Sequence, residues 1–327
     1  MLNRFVIGLI VLLFTTTVSA SGMVFGIAGK RTDDINFITV WKSCLQAAEK
    51  EGDTCLLIGE KGPAHFRSQD KAITRAIENG LDGLAVSVIN SDWLSEHSAK
   101  LAIQKNIPLI TFDSDVDKKH ADKRSAYIGM NNVEVGRELG KIARRLRPQG
   151  GVVWMMSGGR FSTNLNERLM GVRQALSGDT TFPLGKNLAG EGEWQEHVRS
   201  PWYCKDEYEI SLEQLKTSFI DSKFDVFISM GHWPVANTEL YRKTILSIKR
   251  QGLDTDKKLI IIGIGGLLPE QAQLVSDKLI HAYVSLDFEE MGQECYRYLK
   301  RLATGSTVPP VLYTKTKTYL WTDQGNK

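Results

Sequence analysis

Short, almost wholly apolar runs alternate along the chain with segments in which apolar residues recur at helical spacing. An uninterrupted apolar run indicates a strand covered on both faces, as in a parallel sheet. Helices between such strands make right-handed crossovers, so the alternation predicts a parallel α/β sheet. In the first half of the chain we predict strands at Met23–Ala28, Thr54–Gly59, Gly83–Val88, Pro108–Phe112 and Ala126–Gly129 and helices at Phe37–Glu51, Gln69–Asn79 and Trp93–Lys105.

A second series of the same kind follows a tight link at Asn131 and Asn132, with no linker rich in Pro, Gly or Ser. Its predicted strands are Gly151–Met156, Leu184–Gly190, Asp225–Ser229, Lys258–Ile262 and His281–Ser285, its predicted helices are Val133–Arg147, Asn164–Leu176, Tyr208–Ile220, Val235–Gln251, Glu270–Ser276 and Glu289–Thr304, and an extended segment covers Val311–Leu320. We therefore predict an α/β protein with two doubly wound parallel-sheet lobes. The alternative is a single TIM barrel, which needs eight strand–helix units closing one sheet.

Residues 1–20 have the pattern of a secretory signal peptide. Arg4 is followed by the apolar stretch Phe5–Phe14, and the small residues Val18 and Ala20 fit a cleavage site before Ser21. The apolar stretch is shorter than the roughly 20 residues that a membrane-spanning helix needs. We expect cleavage and export to the periplasm, with an uncleaved membrane anchor as the alternative.

Composition and charge further restrict the class of protein to which the chain can belong. The 327 residues are 42% apolar and 24% charged, an ordinary globular composition long enough for two domains. The 41 basic and 38 acidic side chains give a net charge of +3. This near balance lacks the concentrated positive charge of a nucleic-acid-binding protein, so we expect no nucleic-acid partner.

The cysteines leave a disulfide question open. An exported protein meets an oxidising compartment in which disulfides form. The chain has four cysteines, at Cys44, Cys55, Cys204 and Cys295. Four cysteines allow three pairings, and their positions along the sequence do not choose among them.

The common signatures of catalysis are missing from the sequence. It contains no P-loop, no complete dinucleotide-binding glycine pattern, no His-Glu-x-x-His zinc motif and no G-x-S-x-G nucleophile elbow. The six histidines are scattered rather than grouped. The sequence therefore predicts a binding protein, not an enzyme, with no cofactor and no metal site.

Polar and aromatic residues follow several predicted strands, and the carboxyl ends of parallel strands are where ligands bind in such sheets. Asp34, Asn36 and Phe37 follow the first strand, Asp113 ends the fourth, and His232 follows a strand of the second series. Carboxylates and amides bond hydroxyls, and aromatic faces cover C–H surfaces, so this mixture favours a sugar-like ring. Helix capping is the alternative role for Asp34 and Asn36.

The chain resembles the type I periplasmic binding proteins, in particular the ribose-binding-like sugar-binding proteins of ABC importers. The likeness spans Val24 to about Leu320. The segments that carry it are Asn106–Asp113, Tyr127–Gly136, Asn166–Gly171, Lys258–Gly266 and Lys278–Val284. The resemblance implies two lobes joined by three crossing segments, with lobe one at residues 22–131 plus 287–309 and lobe two at residues 132–286 plus 310–327.

The resemblance also implies a set of ligand-binding positions. Asp113 matches the family's aspartate at the end of the fourth strand, and Phe37 and Trp194 match its aromatic residues. The family's arginine at the start of a second-lobe helix falls on Asn166. Its aspartate after a later strand falls on Gly265, and its asparagine falls near His232.

The function implied is capture of a small polar, carbohydrate-like ligand between the lobes and delivery to the membrane permease of an ABC importer. The protein is expected to act as a monomer. The alternative is a sensor that presents a signal molecule to a membrane histidine kinase or chemoreceptor.

Overall fold

The computed structural model describes residues 22–253, 255 and 257–322, so the predicted signal peptide lies outside the described residues. The first elements along the chain are β1 (Val24–Ala28), α1 (Ile35–Glu49), β2 (Thr54–Ile58), α2 (Phe66–Glu78), β3 (Gly83–Val86), α3 (Ser91–Glu96), α4 (Ser98–Gln104), β4 (Leu109–Phe112), β5 (Ala126–Gly129) and α5 (Asn132–Leu146). The chain continues with β6 (Gly151–Ser157), α6 (Thr163–Ser177), β7 (Trp194–Glu196), β8 (Trp202–Tyr203), α7 (Tyr208–Asp221), β9 (Val226–Ser229), α8 (Thr238–Arg250), β10 (Leu259–Gly265), α9 (Pro269–Ser276), β11 (Ala282–Leu286), α10 (Phe288–Ala303), β12 (Val311–Tyr313) and β13 (Thr316–Leu320).

The strands form two separate sheets. The first is six-stranded, with the order β12-β5-β4-β3-β1-β2, and all its neighbouring pairs are parallel. The second has the order β13-β11-β10-β9-β6-β7, with β8 paired to the end of β6. Only β13 runs antiparallel among the paired strands of these described sheets. The predicted α/β class with two parallel-sheet lobes is confirmed, and the TIM barrel is excluded.

The chain passes between the lobes three times: from β5 to α5, from β11 to α10, and from β12 to β13. Asn131 and Asp287 cap the helices that start at the first two crossings, because each side chain accepts a hydrogen bond from a backbone N–H of the first turn. The Thr314 hydroxyl donates to the Gly129 carbonyl at 2.9 Å, joining the third crossing to the first. β12 belongs to the first sheet, so the crossing expected at residue 310 lies after Tyr313.

Two elements differ from the sequence prediction. Leu184–Gly190 is not a strand, and the edge beside β6 is formed by β7 and β8. Gly185 and Gly190 have φ angles of 86° and 123°, which a strand does not accommodate. The helix expected over Trp93–Lys105 is broken at His97, whose φ and ψ of −118° and −99° are not helical.

The close packing of α5 on α6 positions the second-lobe side of the site. A Cβ atom at Gly136 would lie 2.0 Å from the Arg168 carbonyl oxygen, and one at Gly171 would lie 2.1 Å from that of Val133. Only glycine allows backbones to approach this closely. The contact presses the middle of α6 against α5, near the first crossing between the lobes.

The structure shows which cysteines are paired. Cys44 on α1 and Cys55 on β2 form a disulfide, and both are buried. Cys204 and Cys295 are buried and not cross-linked. None of the helices in the described part of the chain is long and apolar enough to cross a membrane.

Candidate functional site

A small cavity lies between the two lobes, at the carboxyl ends of the strands. Its volume is about 50 Å³. The loop after β1, the end of β4, the starts of α1, α6 and α10, the loops after β8 and β9, and the end of β10 surround it. The lining residues are Lys30, Arg31, Asp34, Asn36, Phe37, Asp113, Asn164, Leu165, Arg168, Asp206, Gly231, His232, Trp233, Ile264 and Phe288.

The start of α1 supplies one wall. Asp34 is the N-cap of this helix, and its carboxylate accepts the Asn36 backbone N–H at 2.8 Å. Asp34 and Asn36 are both buried. The Phe37 ring packs edge-on against Phe112, with 6.2 Å between the ring centres. Capping and cavity lining are therefore both roles of Asp34.

An ion pair between the lobes forms the floor. Asp113, at the end of β4, accepts the Ser87 hydroxyl at 2.9 Å and lies 3.5 Å from the Arg168 guanidinium on α6. Arg168 also donates to the Asn132 side chain at 2.9 Å and to the Met230 carbonyl at 3.0 Å. Burial lowers the pKa of Arg168, and the Asp113 carboxylate opposes that shift. The guanidinium is thus held in one orientation by three fixed partners.

A second set of charges closes the cavity from the side. The Lys30 ammonium donates to the Asn164 side chain across the lobes at 3.1 Å. Burial lowers the pKa of Lys30, although Asp113 and Asp206 oppose the shift. Burial raises the pKa of Asp206, against the attraction of Lys30. Arg31 donates to the Asp206 carbonyl at 2.9 Å, and its guanidinium lies 4.8 Å from the centre of the Tyr208 ring.

His232 forms the roof. It is 4% exposed, and its Nδ1 atom lies 3.1 Å from the Asn36 amide nitrogen. The Asn36 amide oxygen accepts the Gly266 backbone N–H at 2.9 Å. The other ring nitrogen of His232, Nε2, is buried without a hydrogen-bond partner among the described residues.

The structure brings five of the predicted binding residues to this cavity: Asp34, Asn36, Phe37, Asp113 and His232. Gly265 lies directly behind one of them, because a Cβ atom there would be 2.8 Å from the His232 Cβ. It supports the roof and does not line the cavity.

Asn166 and Trp194 lie elsewhere. The Asn166 side chain donates to the Arg160 carbonyl at 3.0 Å and borders a separate, outer groove. Trp194 is 1% exposed and pairs with Gly151 at the amino end of β6, the end remote from the cavity. Trp194 is therefore a core residue of the second lobe.

Four charged residues of the cavity were missed from the sequence: Lys30, Arg31, Arg168 and Asp206. A signal for Arg168 was available, because Asn164 and Arg168 are four residues apart and lie on one face of α6. Asp206 follows the short strand β8, which the sequence did not reveal. Nothing in the pattern distinguished Lys30 and Arg31 from ordinary loop residues.

No three His, Cys, Asp or Glu side chains in residues 22–253, 255 and 257–322 are grouped so as to hold a metal ion. The cavity lining instead combines three basic side chains with three carboxylates, and the Arg31 guanidinium is also paired with Asp33, just outside the lining, at 2.6 Å. Such a site offers a ligand both hydrogen-bond donors and acceptors.

These features describe a two-lobed α/β protein with a polar cavity between the lobes. The family model described as a periplasmic binding protein domain matches residues 25–307, and the chain belongs to this family. No curated protein sequence matches the chain.

Solved structures of low sequence identity share the fold over almost the whole chain. One is a glucose-galactose binding protein from Geobacillus stearothermophilus, with 19% identity, a TM-score of 0.76, and coverage of 92% of this chain and 98% of that one. A solute-binding protein of an ABC transporter from Burkholderia graminis, in complex with D-arabinose, has 18% identity, a TM-score of 0.75, and coverage of 94% and 98%. Another from Agrobacterium vitis, bound with α-D-tagatopyranose, has 13% identity, a TM-score of 0.77, and coverage of 93% and 96%.

Proposed function

We propose that this protein is a periplasmic solute-binding protein that captures a carbohydrate-like ligand between its lobes and delivers it to an ABC importer. The observation that carries the proposal is the cavity itself, whose polar walls come from both lobes. Asp34, Asn36 and Lys30 belong to the first lobe, while His232 and Arg168 belong to the second. A ligand held by both sets favours the closed arrangement of the lobes.

The chemistry of the cavity suits a polyhydroxylated ring. Its lining carries both hydrogen-bond donors and acceptors, and a hydroxyl needs both because it donates and accepts. Phe37 and Trp233 provide aromatic surface for C–H groups. Solved relatives of the same fold hold D-arabinose and tagatopyranose, which supports the same ligand class here.

Ligand entry requires the lobes to separate. The cavity of about 50 Å³ is far smaller than the roughly 300 Å³ at the lower end of typical ligand pockets. We therefore propose hinge opening at the three crossings, followed by closure over the ligand. The closed pair of lobes, acting as a monomer, then presents one composite surface to a membrane permease. The ABC-transporter relatives favour this role over that of a sensor.

A thermal-shift screen tests the proposal. D-arabinose, D-tagatose, D-galactose and D-glucose are added to the wild type, and a ligand at 100 times its Kd is expected to stabilise the protein by about 2.7 kcal/mol. Asp206→Asn is expected to weaken the stabilisation. Asp122→Asn, at an exposed position, serves as the matched control and should retain it.

Two results would contradict the proposal. The first is the absence of a shift with every sugar tested. The second is a shift that Asp206→Asn leaves unchanged, because the sugar would then bind outside the cavity. Stabilisation by a nucleoside or a small signal molecule, with none by sugars, would favour the sensor role instead.

A further inference from the structure

Three groups form a hydrogen-bonded relay across the lobe boundary. The Gly266 backbone N–H donates to the Asn36 amide oxygen at 2.9 Å, and the Asn36 amide nitrogen lies 3.1 Å from His232 Nδ1. Asn36 is on α1 of the first lobe, whereas Gly266 and His232 follow strands β10 and β9 of the second. The relay therefore exists only while the lobes are together.

The direction of this relay is fixed by its first member. A backbone N–H can only donate, so the group of Asn36 that faces Gly266 is its amide oxygen. The amide NH₂ of Asn36 must then face His232 and donate to Nδ1. Because Nδ1 accepts, a neutral His232 ring carries its proton on Nε2.

The resulting Nε2–H is a donor that lacks a partner in the described part of the chain. His232 is 4% exposed, and Nε2 has no hydrogen bond among the described residues. The Asp34 carboxylate oxygen Oδ2 lies 3.8 Å from it, beyond hydrogen-bond distance. A buried donor left unsatisfied costs free energy, so this atom is suited to a ligand group.

The ligand group that fits between these atoms must accept from Nε2–H and donate to Asp34. A hydroxyl does both. A carboxylate oxygen cannot donate to Asp34, and an ammonium cannot accept from the ring. His232 Nε2 and Asp34 Oδ2 are 3.8 Å apart, so a single ligand oxygen beside both atoms can bond to each of them.

We propose that lobe closure selects a ligand hydroxyl through Asn36. On closure Asn36 fixes His232 as the Nε2–H donor, and His232 and Asp34 then bind one hydroxyl of the ligand together. Asn36 is a positioning residue in this proposal, and His232 contacts the ligand. The nature of the ligand rests on the proposed function, but the relay does not, so the two can be tested apart.

Nitrogen-15 NMR of the histidine rings tests the relay without any ligand. At pH 8 the wild type is expected to show His232 protonated on Nε2 and not on Nδ1, with the signal assigned by its absence in His232→Gln. In Asn36→Asp the carboxylate accepts from Gly266 and also from the ring, so a proton is expected on Nδ1. Asn79→Asp adds the same charge at an exposed position and should leave the ring unchanged.

The outcomes of this experiment either support or overturn the relay. A wild-type ring protonated on Nδ1, or an Asn36→Asp ring identical to the wild type, overturns it. If Asn36→Asp does not fold, Asn36→Leu takes its place. Leucine removes the amide donor, so the Nδ1 signal of His232 must move, and an unmoved signal overturns the relay as well.

The hydroxyl assignment is tested with D-arabinose, D-galactose and glycerol against acetate and methylammonium. The Nε2–H signal of His232 is expected to move with at least one hydroxyl compound and with neither ion. Asn36→Asp should weaken binding of that compound about tenfold or more, while Asn79→Asp should not. A response to acetate, or to none of the compounds, overturns the assignment. Failure of the sugars alone contradicts the proposed function and leaves the relay result standing.

Discussion

At the scale of single residues, the strongest constraint on the site is the pairing of Asp113 with Arg168. Both side chains are almost wholly buried, at 7% and 3% exposure of the residue. Two charges taken out of water are stable only while each retains partners. Ser87 and Arg168 provide these for Asp113, and Asn132 and Met230 complete the set for Arg168. The pair thus holds both walls of the cavity in place.

Replacing Arg168 by Met should therefore destabilise the protein strongly. We expect a loss of about 3–5 kcal/mol, because Asp113 is left as a buried charge without its cation. Urea unfolding of the purified protein measures the change. Arg242→Met removes a more exposed pair with Asp277 and is expected to cost less than about 1 kcal/mol.

The double variant Arg168→Met/Asp113→Asn tests whether the loss comes from the unpaired charge on Asp113. It removes the unpaired charge and should recover part of the stability lost in the single variant. Equal losses in Arg168→Met and Arg242→Met would contradict the assigned importance of the buried pair.

The predicted binding residues that line the cavity follow a positional rule. Asp34, Asn36, Phe37, Asp113 and His232 come just after strand ends, and parallel strands bring those ends to one edge. Arg168 escapes this rule because it lies inside a helix. Trp194 was misplaced because the strand before it was assigned to residues 184–190, while β7 itself begins at Trp194.

At the scale of elements, α1 and β2 are joined covalently. The Cys44–Cys55 disulfide closes a loop with a sequence separation of 11 and lies in the core of the first lobe. A loop of this size restricts the unfolded chain by about 3 kcal/mol in the chain-entropy account.

Reduction of this disulfide should lower the free energy of unfolding by about 3 kcal/mol. Urea unfolding with and without dithiothreitol measures the difference. The variant Cys44→Ala/Cys55→Ala is the control, since dithiothreitol should not affect it. Alkylation of the unreduced, denatured wild type should label only Cys204 and Cys295, and labelling of all four cysteines would contradict the pairing.

A buried carboxylate ties α10 to the start of the first sheet. Asp53 accepts hydrogen bonds from the Met23 backbone at 2.9 Å, the Tyr296 hydroxyl at 2.8 Å and the Lys300 ammonium at 2.5 Å. Burial alone would raise the pKa of Asp53, but the hydrogen bonds from Lys300, Met23 and Tyr296 outweigh it, and the pKa is lowered.

Asp53→Asn should therefore remove a pH-dependent part of the stability. A carboxylate with a lowered pKa stabilises the fold above the unfolded value of about 3.9 and loses that effect as the pH falls through its folded value. We expect the variant to be about 1.5–3 kcal/mol less stable at pH 7 and the gap to narrow below about pH 4. Urea unfolding across this range measures it, with the exposed Glu51→Gln as control. A gap that stays constant down to pH 2 would contradict the ionic role of Asp53.

How well the sequence predicts a strand depends on how completely that strand is buried. Strands covered on both faces, such as β3, β4, β5 and β9, are buried at every position, and their apolar runs located them. The edge strands β7 and β8 contain polar or half-exposed residues, so they carry no such run. The sequence predicts a strand that begins at Leu184, but this side chain is 63% exposed and does not enter the core.

At the scale of the whole molecule, the two lobes are held together by direct hydrogen bonds around the cavity. Lys30 bonds Asn164, Arg31 bonds the Asp206 carbonyl, and at the rim the Thr163 hydroxyl donates to Asp117 at 2.8 Å. These contacts favour a closed arrangement before any ligand adds its own. Opening for ligand entry breaks these bonds, so the contacts of the ligand with both lobes have to offset that cost.

The double variant Lys30→Met/Arg31→Met should shift the free protein toward an open arrangement. It removes two of the direct bonds between the lobes while keeping apolar side chains of similar length. Small-angle X-ray scattering without ligand is expected to give a larger radius of gyration for the variant than for the wild type. Lys61→Met/Lys71→Met changes two exposed lysines of the first lobe and should leave the curve unchanged.

The comparison distinguishes closure by the protein's own contacts from closure by ligand alone. If the lobes close only around a ligand, the wild type is already open in solution, and the scattering curves of the wild type and the two double variants coincide. If the cavity charges hold the lobes, only the Lys30→Met/Arg31→Met curve departs, because this variant breaks bonds at the lobe boundary and its control does not. Coincident curves would therefore overturn the closed resting arrangement, whatever the ligand proves to be.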